Sequence, residues 1–345
     1  MPRIVVACIA LIALASIGAP VRAQAPLVVR VGILTSTTDT PLFIADKKGY
    51  FRDEGLSVSF VTFDSGANMI APLGTGQLDV GGGALSVGLY NAVARGVDVR
   101  VVADLGSDPP GYGLAPLLVR SDLVKSGRYK TYADLKGLTV AGNSPQSSGA
   151  AMMNVLLKKA GLTPADIKVA YLAYPEQVVA LKNGSVDAAL SLEPFATEAV
   201  ENGAAVRIAG DDEFYPNQEI SVIMYGGGFV KNHRDLGVKF MRAYLKAVRY
   251  YNGALAHGKL AGPNADDVVK ILLASMPIKD PAIFRSVTPS GDNPNGHVYL
   301  DSMRQDFAYF KAQGIITGNV KPEDIVDDSF VSEVLKTIGP YKAHR

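Results

Sequence analysis

Two stretches of this 345-residue chain carry the same succession of signals, and that succession constrains the fold more than any other feature. In the first, Gly55-Leu56 ends a helical run and opens a strand, and Leu73-x-x-Gly76-x-x-Asp79 follows. In the second, Gly161-Leu162 ends a helical run before a strand, and Leu181-x-x-Gly184-x-x-Asp187 follows. The first glycine lies 24 residues before the aspartate in one stretch and 26 in the other. A glycine after a helical pattern is a stop signal, because it takes the left-handed conformation that ends a helix. Short apolar strands alternating with helices imply right-handed βαβ units and a mainly parallel sheet. Repetition of the unit predicts two similar α/β lobes.

The first unit reads as strands over Leu27–Leu34, Leu56–Phe63, Leu78–Val80 and Val99–Asp104, with helices between them. The second reads as strands over Leu138–Ala141, Ile167–Leu172 and Val186–Leu190. Ser221–Tyr225 is a further strand, and the rest is helical. In Asp235–Leu255 the residues Leu236, Phe240, Tyr244, Val248 and Tyr251 share one stripe, and a basic run lies mostly off it as a solvated face. Crossings are expected near Asp104–Leu118 and Val222–Phe229, giving a discontinuous first lobe (27–110 and 226–345) and a second lobe (111–225). Two crossings make a hinge, and a hinge between α/β lobes makes a ligand cleft at the carboxyl ends of the strands.

Residues 1–23 read as an export signal: Arg3, an apolar run from Ile4 to Ile17, the breakers Gly18 and Pro20, then Val21-Arg22-Ala23 before a cut. The run is too short for the ~20 residues of a spanning helix. Cleavage after Ala23 removes Arg3, Arg22 and the single cysteine, Cys8. The mature chain then has 32 basic and 33 acidic residues, against 34 and 33 in the full sequence. A near-neutral balance excludes a field for nucleic acid, and the absence of cysteine suits an oxidising periplasm.

Loops after the strands supply small donors before helices. They are Thr35–Thr40 with Thr37 and Thr38, Asp64–Asn68 with Ser65 and Gly66, Gly81–Ser86 with Gly83 and Ser86, and Gly142–Ser148 with Ser144, Ser147 and Ser148. Helix capping accounts for the hydroxyls of any one loop. Four such loops converging on one cleft point to a ligand, with helix N-termini favouring an anion. Phe43 and Tyr225 are aromatic candidates for a stacking wall, and Glu193 either accepts from a ligand or braces the hinge. Catalysis has little support. His233, His257, His297 and His344 are scattered, and neither a G-x-S-x-G elbow nor a phosphate-binding loop is present. Gly291–Gly296 has calcium-like oxygen ligands but lacks the spacing of a calcium loop, so it reads as a turn, and no metal or cofactor is expected.

The chain resembles the periplasmic substrate-binding proteins of ABC importers, in the nitrate/sulfonate/taurine group. The matching stretches include Pro41–Ala45, Lys48–Leu56, Gly76–Asp79, Asp134–Gly137, Gly161–Asp166, Ala180–Ala189, Glu193-Pro194 and Asp327–Phe330. The resemblance implies a type II periplasmic-binding fold acting as a monomer without catalysis. It also implies a small-molecule ligand, delivered to an inner-membrane permease with a cytoplasmic ATPase. Members that bind inorganic anions or sulfonates commonly use tryptophan and a basic residue, and this chain has no tryptophan. An aromatic carboxylate or sulfonate-like organic anion is therefore the expected ligand. The alternatives are a pyrimidine precursor of thiamine or an enzyme on the same fold.

Overall fold

The computed structural model describes residues 27–342; the expected export signal lies outside the described residues. Ten strands build two five-stranded sheets. They are β1 (Leu27–Ile33), β2 (Leu56–Thr62), β3 (Val80–Ala84), β4 (Val99–Ser107), β5 (Leu117–Arg120), β6 (Thr139–Gly142), β7 (Lys168–Tyr171), β8 (Ala188–Leu190), β9 (Ala205–Ala209) and β10 (Glu219–Gly226). The first sheet runs β2-β1-β3-β10-β4 and the second β7-β6-β8-β5-β9. In the first, β1 pairs parallel with β2 and β3, while β10 runs antiparallel between β3 and β4. In the second, β6 pairs parallel with β7 and β8, while β5 runs antiparallel between β8 and β9. The two orders correspond strand for strand. In each lobe the antiparallel strand is the one laid down as the chain arrives from the other lobe.

The sequence repeat has a physical basis in this correspondence. Asp79 Oδ2 accepts from the Arg30 N–H at 2.8 Å, and the Asp79 N–H returns a bond to the Arg30 carbonyl at 3.1 Å. Asp187 does the same with Thr139, at 3.0 and 2.8 Å. Each aspartate thus clamps a parallel strand of its sheet, β1 or β6, to the strand it introduces, β3 or β8. Gly76 and Gly184 precede them at φ of 71° and 78°, where an L side chain is strained.

The boundaries differ from expectation in one respect. The segment over Ser221–Tyr225, expected in the second lobe and leading into a crossing at Val222–Phe229, is the middle of β10 in the first sheet. The chain leaves the second sheet after Ala209, so the crossings occupy residues 108–116 and 210–218. An apolar strand pattern reports burial on both faces and does not say which sheet provides the neighbours. β5 and β9 are not among the expected strands; β5 begins in the last two residues of the stretch expected to be the first crossing and runs beyond it.

The helical remainder covers the first lobe. Helix Arg234–Asn252 buries Leu236, Phe240, Tyr244, Val248 and Tyr251 in a core shared with helices Thr40–Lys47 and Ser329–Ile338. Its basic residues face outward, where Arg242 meets Glu54 at 2.5 Å and Arg234 meets Glu333 at 3.1 Å. No described helix is long and apolar enough to cross a membrane.

Candidate ligand-binding site

The lobes meet where the loops after β3 and β6 face each other. Ser86 and Ser147 form an antiparallel bridge. The Val87 N–H donates to the Gln146 carbonyl at 2.8 Å, and the Ser148 N–H donates to the Leu85 carbonyl at 3.0 Å. Ser148 Oγ donates to the Ile220 carbonyl at 2.9 Å, and Gln218 Nε2 donates to the Ser148 carbonyl at 3.0 Å. Gln146 holds φ of 63°, and Thr35, in the corresponding loop after β1, holds φ of 57°. A left-handed non-glycine residue costs about 1–3 kcal/mol and marks positions held in place by their surroundings.

Behind this bridge lies a cavity of about 70 Å³. It reaches from the carboxyl ends of β6 and β8 into the second lobe, under helix Ser148–Lys159. Its polar rim is Asn143, Ser144, Ser147, Ser148, Ser191 and Asn154, and its apolar walls include Met152, Met153, Leu157, Tyr171 and Tyr174. Tyr309 and Ala84 close it from the first lobe. None of the described residues lining it is charged. The N-terminal turn of helix Ser148–Lys159 forms part of the wall, with Gly149 and Ala150 exposed to the cavity. Ser147 is the N-cap but does not bond the turn; its hydroxyl donates to the Ser144 carbonyl at 2.9 Å. Within that turn the Ser148 N–H is taken by the Leu85 carbonyl and the Ala150 and Ala151 N–H groups by the Ser147 carbonyl, which leaves the Gly149 N–H and the positive end of the helix dipole for an occupant. Ser191 Oγ is buried and has no partner, although such a group ordinarily costs about 1–3 kcal/mol.

The expected site residues fall into three groups. Ser86, Ser144, Ser147 and Ser148 gather at the bridge and the cavity. Ser65, Gly66 and Gly83 form a packed joint beside it. A Cβ on Gly66 would fall 2.5 Å from the Ala84 carbonyl oxygen, and one on Gly83 would fall 2.9 Å from Gly66 Cα. Thr37, Thr38 and Glu193 lie at a second interlobe contact. Both the N–H and Oγ1 of Thr37 donate to the Glu193 carbonyl at 3.1 Å, and Thr38 Oγ1 bonds Ser36 Oγ at 2.7 Å. The Glu193 carboxylate is fully buried. It accepts from Arg207 Nη1 at 2.8 Å, the Thr197 N–H at 2.9 Å and the Thr288 N–H at 3.3 Å, contacts that favour the brace among its two readings.

Phe43 and Tyr225 are corrected. Phe43 packs edge-on against Phe60 in the first-lobe core. Tyr225, at the far end of β10, sits among Phe229, Phe240 and Phe330, and its hydroxyl donates to the Gly237 carbonyl at 2.8 Å. Both lie on core-facing positions of regular elements, where apolar burial outweighs proximity in sequence to a loop. The reading missed Ser191, Met152, Met153, Tyr171 and Tyr309. Ser191 follows β8 directly, so the rule that loops after strands line the cleft applies to it as well.

Comparison with known proteins agrees with this architecture. A family model described as the NMT1-like family matches residues 22–269. A Bacillus subtilis protein named as an aliphatic sulfonates-binding protein is 27% identical over 326 residues, covering 89% of this chain and 88% of the relative. The yeast 4-amino-5-hydroxymethyl-2-methylpyrimidine phosphate synthase THI13 of Saccharomyces cerevisiae is 25% identical over 222 residues, 61% of this chain and 62% of that protein. The alkanesulfonate-binding protein SsuA from Xanthomonas axonopodis, solved with MOPS, superposes with a TM-score of 0.66 at 22% identity, covering 88% of this chain and 99% of that one. The similarity is overwhelmingly to proteins that bind rather than catalyse. This chain belongs to the NMT1-like family, among the type II periplasmic solute-binding proteins related to the nitrate, sulfonate and taurine receptors of ABC importers.

Proposed function

We propose that this protein captures a small organic anion, an aromatic carboxylate or a sulfonate, between its lobes and delivers it to an ABC permease driven by a cytoplasmic ATPase. The observation that carries the proposal is the cavity at the N-terminus of helix Ser148–Lys159, walled by Met152, Met153, Leu157 and Tyr171 and lined by no charged described residue. The anionic head accepts bonds from the Gly149 N–H and the unpartnered Ser191 hydroxyl, and the Ser144 and Ser147 hydroxyls turn from the Pro145 and Ser144 carbonyls to join them, while Ser148 and Ser86 fix the two sides of the bridge. The apolar body of such a ligand exceeds the cavity as it stands, about 70 Å³, so it enters with the lobes apart and then displaces water from the thioether and aromatic walls. Nitrate has no such body and meets no cationic side chain there. Cleavage after Ala23 places the mature chain in the periplasm as a monomer, and mass spectrometry of the exported protein checks the new terminus at Gln24.

Thermal shift and calorimetry with benzoate, phthalate, MOPS, taurine, nitrate and hydroxymethylpyrimidine test the ligand class. Ligand at 100 times its Kd adds about 2.7 kcal/mol of stability, or ~5 °C for a chain of this size. A shift with the aryl acids or MOPS and none with nitrate is the expected pattern. A shift with hydroxymethylpyrimidine alone replaces the proposal with the pyrimidine reading, which the likeness to the yeast synthase favours.

A further inference from the structure

The two crossings run side by side, and acidic side chains tie them together without any cation. The Asp108 N–H donates to the Gln218 carbonyl at 3.2 Å, and the Asn217 N–H donates to the Asp108 carbonyl at 2.7 Å. Asp108 on the first crossing faces Asp211 on the second, carboxyl to carboxyl. Asp108 Oδ1 accepts from the Leu114 N–H at 3.3 Å and Asp211 Oδ1 from the Ala115 N–H at 3.0 Å. The remaining oxygen of each, Oδ2, is buried without a donor. At the ends of the strands that enter the crossings, Asp104 of β4 meets Glu219 of β10 in the same way. Asp104 accepts from Gly106 N–H at 2.9 Å and Asn293 N–H at 2.5 Å. Glu219 Oε2 accepts from the Tyr299 N–H at 2.6 Å, and its Oε1 has no donor. All four carboxyls are at most 1% exposed.

The surroundings supply no compensating charge. Around Asp104 and Glu219 stand Asp292, whose two oxygens lack partners, and Tyr244, Tyr251 and Tyr299. Asp212 stands beside Asp108 and Asp211, and its Oδ2 accepts from the Gly111 N–H at 2.7 Å. The basic groups around the hinge are otherwise engaged. Arg207 binds Glu193 and the Gly113 carbonyl, Lys259 binds the Ser286 and Val287 carbonyls, and Arg249 binds the Pro294 and Gly339 carbonyls. Two carboxyls in contact in a dry site cannot both ionise, so one must keep its proton and donate it to the other. We propose that the hinge is locked by two shared protons, one in Asp108–Asp211 and one in Asp104–Glu219, and that losing them frees the lobes to move.

Burial pushes all four carboxyls upward, Asp104 to about 6 and Glu219 and Asp108 well above the usual range, in keeping with retained protons. The locked hinge therefore binds protons that the loosened chain releases from about pH 4 upward. Each such proton makes opening about tenfold more favourable per pH unit until the native group itself titrates. The lock is full in acid and weakens as pH rises.

Hydrogen exchange of residues 108–116 and 210–218 in the whole protein, corrected for the intrinsic pH dependence of exchange, reads the lock directly. Protection in both segments is expected to fall as pH rises from 5 to 8, and Asp211→Asn, which supplies a permanent donor in place of the shared proton, is expected to flatten that fall. Infrared spectra of the wild-type protein at pH 7 give a second readout that needs no variant to fold. A protonated-carboxyl C=O band is expected, weaker in Asp211→Asn and in Glu219→Gln. Absence of that band at pH 7, or equal pH dependence of exchange in wild type and Asp211→Asn, overturns the proposal.

Discussion

Replacing Glu193 with alanine separates a bracing role from a ligand-contact role. The wild-type carboxylate is fully buried and satisfies three donors on three segments: Arg207 of β9, Thr197 in the first turn of helix Phe195–Glu201, and Thr288 of the first lobe. Loss of the helix-cap bond to Thr197 costs about 1 kcal/mol. Loss of the buried charge-assisted bonds costs about 1.5–3 kcal/mol. The emptied volume adds about 1 kcal/mol. Arg207 limits the total, because it is 28% exposed and still donates to the Gly113 carbonyl, so its guanidinium stays partly hydrated. These contributions share partners and do not simply add. A loss of about 4 kcal/mol follows, which for a chain of this length is a Tm drop of ~8 °C. Scanning calorimetry of Glu193→Ala without ligand measures it, and Glu193→Gln, which keeps the shape but loses the charge, is expected to fall between the variant and wild type. A Tm within 1 °C of wild type, with ligand affinity lost, refutes the brace and makes Glu193 a ligand contact.

Ser191→Ala removes a buried hydroxyl without a partner, so stability without ligand is unchanged or rises by up to about 1 kcal/mol, while calorimetric affinity for a bound organic anion drops about tenfold, the value of one hydrogen bond. Tyr225→Phe takes the donor from the Gly237 carbonyl in the first-lobe core and costs about 1–2 kcal/mol in denaturant melts, with ligand affinity unchanged. Asp306 accepts from Tyr215 Oη at 2.5 Å and Gln218 Nε2 at 2.8 Å, and burial pushes its carboxyl up to about 7. The unfolded chain releases that proton near pH 4, so between about 4 and 7 the native state binds more protons and stability falls as pH rises. Asp306→Asn is expected to remove that share of the slope in a pH series of melts, and a slope identical to wild type refutes it.

What the sequence makes legible follows from how local each signal is. The glycine stops and the paired aspartates of the repeat act within one βαβ unit, so Asp79 and Asp187 could be singled out before their bonds to Arg30 and Thr139 were seen. The serines at helix starts are local in the same sense, and Ser86, Ser147 and Ser148 come together at the bridge. β10 fails that test. Its apolar pattern marks a buried strand, but its place between β3 and β4 depends on segments more than a hundred residues earlier. Tyr225 follows from the same cause, because the place of β10 in the first sheet puts its far end in the core. The hinge carboxyls are the extreme case. Asp104, Asp108, Asp211 and Glu219 carry no distinguishing pattern in sequence, and only the side-by-side crossings and the strands that flank them bring these residues into contact. A charge count near zero therefore says nothing about where charge is held neutral inside the fold. At the hinge that neutrality depends on protons, which no count of residues records.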